Sequence, residues 1–256
     1  MKSIIDKLLS LIDVKITRAS TYKSLQKSND LIDVYKLLHR IHPKDCQEFI
    51  QTIDLSQSQL WQDLFVLSEL GFKKNGFFVE FGATDGMNLS NTFLLEKVFD
   101  WKGVLAEPAR KWHHELKKNR SAIIENNCVW DKSNERLIFN ETNEAEYSTI
   151  DHFSNADNHL KTRKNGIKYE VDTISLIDML DKYNAPKEID YLSIDTEGSE
   201  FEILSAFEFD KYKFNIITCE HNFTKNREKI FKLLTENGYE RKYTDLSKYD
   251  DWYVLV

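Results

Sequence analysis

The 256-residue sequence predicts an α/β protein organised on a mostly parallel sheet, and three stretches carry that prediction. Phe77-Phe-Val-Glu-Phe-Gly-Ala-Thr-Asp-Gly86 is a continuous apolar run that meets an acid and breaks at two glycines. Continuous rather than alternating apolar residues mark a strand covered on both faces, hence a central parallel strand. Ile189-Asp-Tyr-Leu-Ser-Ile-Asp-Thr-Glu-Gly198 and Phe214-Asn-Ile-Ile-Thr-Cys-Glu-His-Asn222 repeat the design, each a buried strand that closes on polar and acidic residues. In an open α/β sheet the chemistry lies outside the carboxyl ends of the strands, so both clusters are expected to face one crevice.

Composition narrows the function. Hydrophobic residues make up 41% of the chain, enough for one core. A net charge of −7 gives no basic field for nucleic acid, and nucleic acid is not an expected partner. Cys46, Cys128 and Cys219 are odd in number and far apart, which argues against a disulfide framework and a Cys-x-x-Cys metal site and fits a cytoplasmic protein.

Residues 1–57 read as an N-terminal helical segment without catalytic signature. Ile4, Ile5, Leu8, Leu9, Leu11 and Ile12 recur at helical spacing with charges between them. The stretch is too short and too charged to span a bilayer. It is expected to pack on the domain or on a partner, including a second copy of the chain, with weak peripheral membrane contact as the alternative. Leu31, Ile32, Tyr35, Leu37, Leu38 and Ile41 form a second helical pattern that stops at Pro43.

From Ser58 a helix is expected whose apolar face holds Leu60, Leu64, Phe65 and Leu67, with Gln59, Gln62 and Asp63 on its other side. After the first strand, Gly82 and Gly86 turn the chain, and Asn88, Ser90 and Asn91 are candidate caps for a helix over Thr92 to Phe99. Ala83 replaces the second glycine of a dinucleotide fingerprint, and Glu80 would repel a pyrophosphate. A carboxylate there suits a cationic ligand such as the amino-acid end of S-adenosylmethionine; the alternative is an ordinary turn with Glu80 solvated at its lip.

A second strand ends at Glu107, stopped by Pro108, where an acid can hold a ribose diol. A helix follows over Trp112 to Lys118. Ala122 to Trp130 is taken as the third strand, with Asn126, Asn127 and Cys128 as candidates to line an adenine pocket. Residues 133–170 look irregular, either a substrate lid or a plain insertion, with Glu146-Tyr-Ser-Thr-Ile-Asp151 at their centre. Tyr169 to Ile174 is expected as a strand and Leu176 to Tyr183 as a helix. A helix from Asn226 to Asn237 stops at Gly238, and strands near Tyr239 to Tyr243 and Trp252 to Val256 pair at one sheet edge.

Val-Glu-Phe-Gly-Ala-Thr-Asp-Gly from Val79, Ser-Asn-Thr from Ser90, Ala-Glu-Pro from Ala106 and Ser-Ile-Asp-Thr-Glu-Gly-Ser-Glu from Ser193 together resemble FkbM-type S-adenosylmethionine-dependent methyltransferases. The resemblance covers residues 58–256 and leaves residues 1–57 outside. It implies a class I methyltransferase (Rossmann-like) sheet of seven mostly parallel strands with helices on both faces. It also implies S-adenosyl-L-methionine as cofactor, O-methylation of a sugar or natural product, and a place in bacterial surface polysaccharide biosynthesis. Carried over by residue, Glu80, Gly82, Ala83 and Asp85 surround the methionine portion, Glu107 the ribose, and Asn127 or Cys128 the adenine. Asn91 and Pro108 join the cofactor-binding set, and Asp195 lies beside the transferable methyl.

Methyl transfer to an unactivated hydroxyl needs alignment and a base or a metal. His221 is the candidate base, since its ordinary pKa near 6.5 suits proton transfer. The other scheme has Asp195, Glu220 and Asn222 holding Mg²⁺. Glu197 and Glu200 serve either scheme or occupy the first turn of the next helix, the helix reading being preferred for Glu200. Trp112, Tyr147, Phe153 and Phe223 are aromatic candidates to stack on a sugar acceptor, or are core. Two further readings stay open: a nicotinamide-dependent oxidoreductase on a similar sheet, and a non-catalytic scaffold that retains the fold.

Overall fold

The computed structural model describes residues 31–154 and 160–256. The described residues divide between Ile41 and His42, and His42–Val256 form the larger compact unit. The amphipathic pattern at Ile4 to Ile12 lies outside the described residues, and residues 31–38 are helical.

In the larger unit, α1 (Cys46–Thr52) and α2 (Gln62–Glu69) precede β1 (Phe77–Phe81). Then follow α3 (Phe93–Phe99), β2 (Lys102–Ala106), α4 (His113–Asn119), β3 (Ile123–Glu125), β4 (Cys128–Trp130), β5 (Arg136–Glu141) and β6 (Thr149–Ile150). The chain continues through α5 (Leu160–Arg163), β7 (Ile167–Ser175), α6 (Leu176–Lys182), β8 (Glu188–Ile194), α7 (Glu200–Ser205) and β9 (Lys213–Glu220). It closes with α8 (Asn226–Glu236), β10 (Tyr239–Lys242) and β11 (Asp250–Leu255).

Seven strands form one sheet in the order β10-β11-β9-β8-β1-β2-β3. β11 runs antiparallel to both of its neighbours, while β3, β2, β1, β8 and β9 are mutually parallel. Strand order reverses between β1 and β8, the switch point where a crevice opens. Alternation along the strands divides the core. Val79, Phe81, Leu192, Ile194 and Ile217 join Leu180 of α6, Leu204 of α7 and Leu234 of α8 in one cluster. On the opposite face Phe65 of α2 stacks on Trp252 of β11 with ring centroids 4.7 Å apart. Helices thus cover both faces, and the sheet is that of the class I methyltransferase fold.

Three local expectations are corrected. α2 is buried on its polar side as well: Gln62 and Asp63 are 2% and 0% exposed. Gln62 Nε2 donates to Asp250 Oδ2, and Asp63 Oδ1 accepts from Ser56 and Ser58 hydroxyls, so polar residues are matched inside rather than solvated. Ala122 to Trp130 is two strands: β3 pairs with β2, and β4 leaves to pair with β7. Within 133–170 the described residues contribute β5, β6 and the start of β7 to a second sheet, β4-β7-β5-β6, with its own core of Ala109, Cys128, Phe139, Ile150, Phe153 and Val171. The last two strands pair antiparallel at one edge of the sheet, as expected, with β10 outermost and β11 between it and β9.

Candidate active site

A cavity of about 490 Å³ opens at the carboxyl ends of β1, β2, β8 and β9. Gly82, Asp85, Asn91, Glu107, Pro108, Cys128, Asp195, Glu220 and Asn222 line it, all expected from the sequence.

The turn after β1 exists because of glycine. Gly82 has φ +72°, and a Cβ there would stand 2.1 Å from the Asp195 carbonyl oxygen. The ends of β1 and β8 therefore approach through bare backbone. Asp85 accepts from the Met87 and Asn88 amides, both at 2.8 Å, and fixes the rest of the turn. Ser90 Oγ, rather than Asn88 or Asn91, accepts from the Phe93 amide at 3.1 Å and caps α3.

Glu107 ties the two turns together. Its Oε2 accepts from the Thr84 amide and its Oε1 from the Ala109 amide, each at 2.8 Å. Burial pushes its pKa up to about 7 against the pull of those two donors, with Glu141 and Asp195 adding repulsion. Asn91 is 9% exposed; its Nδ2 donates to Ser193 Oγ at 2.9 Å, while its Oδ1 is buried with no hydrogen-bond partner. Burial, then the charge of Glu107, pushes the Cys128 thiol up to about 12, so it faces the cavity as a neutral thiol.

Three expected cofactor residues stand apart from the cavity walls. Glu80 is buried under the turn, where its carboxylate accepts from the Asn91 amide at 2.8 Å and from the Ser90 and Thr92 hydroxyls. Arg120 Nη1 lies 3.5 Å away with its side chain fully buried. The positive partner of Glu80 is thus Arg120, neither a ligand nor solvent. Ala83 is 1% exposed beneath the turn. Asn127 gives its amide to Glu125 Oε1 at 2.9 Å and is absent from the walls.

Asp195, Glu197 and Glu220 converge with one oxygen from each within 4.8 Å of the others. Asp195 and Glu220 are hydrogen-bonded to each other. Burial, followed by the charges of Glu200 and Glu80, brings Asp195 to about 7. Burial, then Asp195, holds Glu220 well above the usual carboxylate range. Arg163 Nη2 meets Glu197 Oε2 at 2.6 Å, bringing the second sheet's connection onto the turn after β8. The third carboxylate beside Asp195 and Glu220 is therefore Glu197, while Asn222 stands at the wall. Glu200, the first residue of α7, accepts from the Thr196 and Gly198 amides at 3.0 Å and fixes that turn.

His221 is not at the cavity. It is 4% exposed, its Nδ1 accepts from the Phe223 amide at 3.0 Å, and its Nε2 is 3.1 Å from the Asp250 carbonyl oxygen. The accepting Nδ1 places the proton on Nε2, which donates to that carbonyl. Burial lowers its pKa, with Asp251 opposing. Both nitrogens are engaged, so it offers no base to the cavity.

Sequence reasoning missed Gln59, Ser148 and Tyr249 of the wall. Glu146 to Ile150, the centre of the supposed irregular stretch, supplies most of one side, while Tyr249 arrives because antiparallel β11 starts opposite the end of β9, pairing Asp250 with Glu220. Trp112 and Tyr147 line the cavity, whereas Phe153 packs over Gly198 and Phe223 is 69% exposed.

No curated protein sequence matches the chain. Similar solved structures include precorrin-6y C5,15-methyltransferase from Geobacter metallireducens GS-15, with 10% identity and a TM-score of 0.41 over 75% of this chain and 84% of that one. A SAM-dependent methyltransferase from Aquifex aeolicus shows 9% identity and a TM-score of 0.36 over 87% and 98% of the two chains. The human methyltransferase 10 domain containing protein shows 12% identity and a TM-score of 0.39 over 75% and 78%. Residues 80–241 match the methyltransferase FkbM domain, a span that runs from the acid of the first turn through the Asp195 and Glu220 strand ends to β10. With more than half of its length matched, the chain belongs to the FkbM family of S-adenosylmethionine-dependent methyltransferases.

Proposed function

We propose that this methyltransferase transfers the methyl group to a hydroxyl of a sugar or glycan precursor in the cytoplasm, in assembly of a bacterial surface polysaccharide. The observation that carries the reading is that one cavity joins the Gly82–Glu107 turn to the Asp195–Glu220 carboxyl pair.

The residues fit the cofactor. The Gly82 backbone is bare, and the Asn91 Oδ1 is an acceptor in need of a donor such as an ammonium. Each Glu107 oxygen holds one amide and keeps a lone pair for a ribose hydroxyl. S-adenosyl-L-methionine, when bound, supplies an electrophilic methyl on a sulfonium. Asp195 and Glu220 then orient the acceptor hydroxyl and take its proton, a role suited to carboxylates whose proton affinity burial raises. Tyr147, Ile150 and Tyr249 close the acceptor side against water.

A second reading is favoured by the three converging oxygens: Asp195, Glu197 and Glu220 hold Mg²⁺, which lowers the pKa of the acceptor hydroxyl. Thermal melts with S-adenosylhomocysteine, in EDTA and then in Mg²⁺, test both. Ligand at about 100 times its Kd adds about 2.7 kcal/mol, a rise of about 5–11 °C for a chain of this size. No rise refutes the cofactor assignment. A further rise with Mg²⁺ that is absent in Glu220→Gln selects the metal scheme.

A further inference from the structure

Among the described residues, the cavity walls carry six carboxyl side chains, Asp85, Glu107, Glu146, Asp195, Glu197 and Glu220, and no lysine, arginine or histidine. Arg163 reaches Glu197 without being part of the wall. S-adenosylmethionine brings two positive groups and one carboxylate, a single net positive charge, so the walls retain an excess of acid with the cofactor in place. Nothing there complements phosphate, whose recognition calls on arginine, lysine or a cluster of amides.

Two aromatic rings stand beside the acids. Burial, then Glu146 and Glu197, holds the Tyr147 phenol up, and Glu220 adds to it. Burial, then Asp250 and Asp195, does the same to Tyr249, again with Glu220 contributing. Both tyrosines line the cavity. Ring faces beside carboxylates are the surroundings that recognise an organic ammonium. A hard metal ion gains nothing from the rings.

Resting on the methyltransferase reading above, we propose that the acceptor is a hydroxyl compound bearing an ammonium group, such as an amino sugar unit, and that no phosphate enters the cavity with it. The ammonium lies between Tyr147, Tyr249 and the carboxylates of Glu197 and Glu220. A nucleoside-diphosphate sugar is disfavoured as the group seated there, because its diphosphate would meet six acids and no cationic side chain on the wall.

The test uses the full chain saturated with S-adenosylhomocysteine in EDTA, titrated with glucosamine, glucose and glucose 6-phosphate, with binding read by saturation-transfer NMR. Glucosamine is expected to bind about tenfold more tightly than glucose, the ratio that one desolvated cation–π and carboxylate contact provides, with glucose 6-phosphate weakest. Tyr147→Leu and Glu220→Gln should each erase most of that ratio. The melt shift with S-adenosylhomocysteine serves as the folding control. Failure of S-adenosylhomocysteine to bind refutes the cofactor reading itself. Cofactor binding with no preference for glucosamine, with undetected binding of all three sugars, or with glucose 6-phosphate preferred overturns the ammonium proposal alone. Displacement of glucosamine by Mg²⁺ also overturns it, by assigning the positive charge to a metal.

Discussion

Replacing Glu80 by Gln separates a structural carboxylate from a ligand contact. The side chain keeps its shape and one oxygen for the Asn91 amide, yet an NH₂ now faces the Ser90 and Thr92 hydroxyls and Arg120. Breaking a buried ion pair from one side costs about 3–5 kcal/mol. Arg120 retains Glu96, with Nε 2.7 Å from Oε2, together with the Gly86 carbonyl, so its charge is not stranded. The lower end applies: about 3 kcal/mol, a fall of about 6–12 °C in melting temperature. Calorimetry of the free protein reads the fall, and titration of S-adenosylhomocysteine into the folded variant below its transition reads the affinity. Affinity should change little, because Glu80 lies outside the cavity. An unchanged melting temperature with affinity lost would refute the argument and return Glu80 to the ligand.

His221→Gln should lower stability through the lost contacts to Asp250 and Phe223, while S-adenosylhomocysteine affinity and the pH profile of turnover stay as in the wild type; a lost basic limb in that profile would restore His221 as base. Free-protein stability should fall as pH rises from about 5 to about 8. Glu107 and Asp195, each raised to about 7, and Asp250, raised to about 8, bind protons more tightly folded than unfolded. Their contribution is complete below the unfolded values near 4 and is lost as pH climbs through 7 to 8. His221, lowered by burial, works the other way and only below about 6.5. Melting temperatures that climb steadily across this range would contradict the burial of the three acids. Arg163→Met should weaken acceptor binding by loosening Glu197 while leaving cofactor affinity intact; equal losses of both would place Arg163 in the general scaffold.

Much of the site was legible because strand ends in a parallel sheet converge. An acid after a run such as Phe77 to Phe81 or Tyr191 to Ile194 must emerge at the carboxyl edge, and neighbouring edges make one crevice. Glu107, Asp195 and Glu220 were found that way. Glu80 was misplaced because a residue within the strand points to one face of the sheet, and which face carries Arg120 is set by α4 and the connection after it. His221 follows Glu220 in sequence, yet the register of β11 against β9 turns it toward the Asp250 carbonyl and away from the cavity.

The sequence by itself determined the doubly covered parallel core, the glycine turn and the acids at three strand ends, since these follow from local period and from backbone angles that only certain residues adopt. Only the tertiary structure decided which of those acids meet. It split Ala122 to Trp130 between two sheets and brought Phe139 and Glu146 to Ile150 to the cavity wall. It also matched Glu80 to Arg120 and Glu197 to Arg163. Such pairings join residues far apart in the chain, 40 positions for the first and 34 for the second, and nothing in local pattern encodes a charge's partner at that distance.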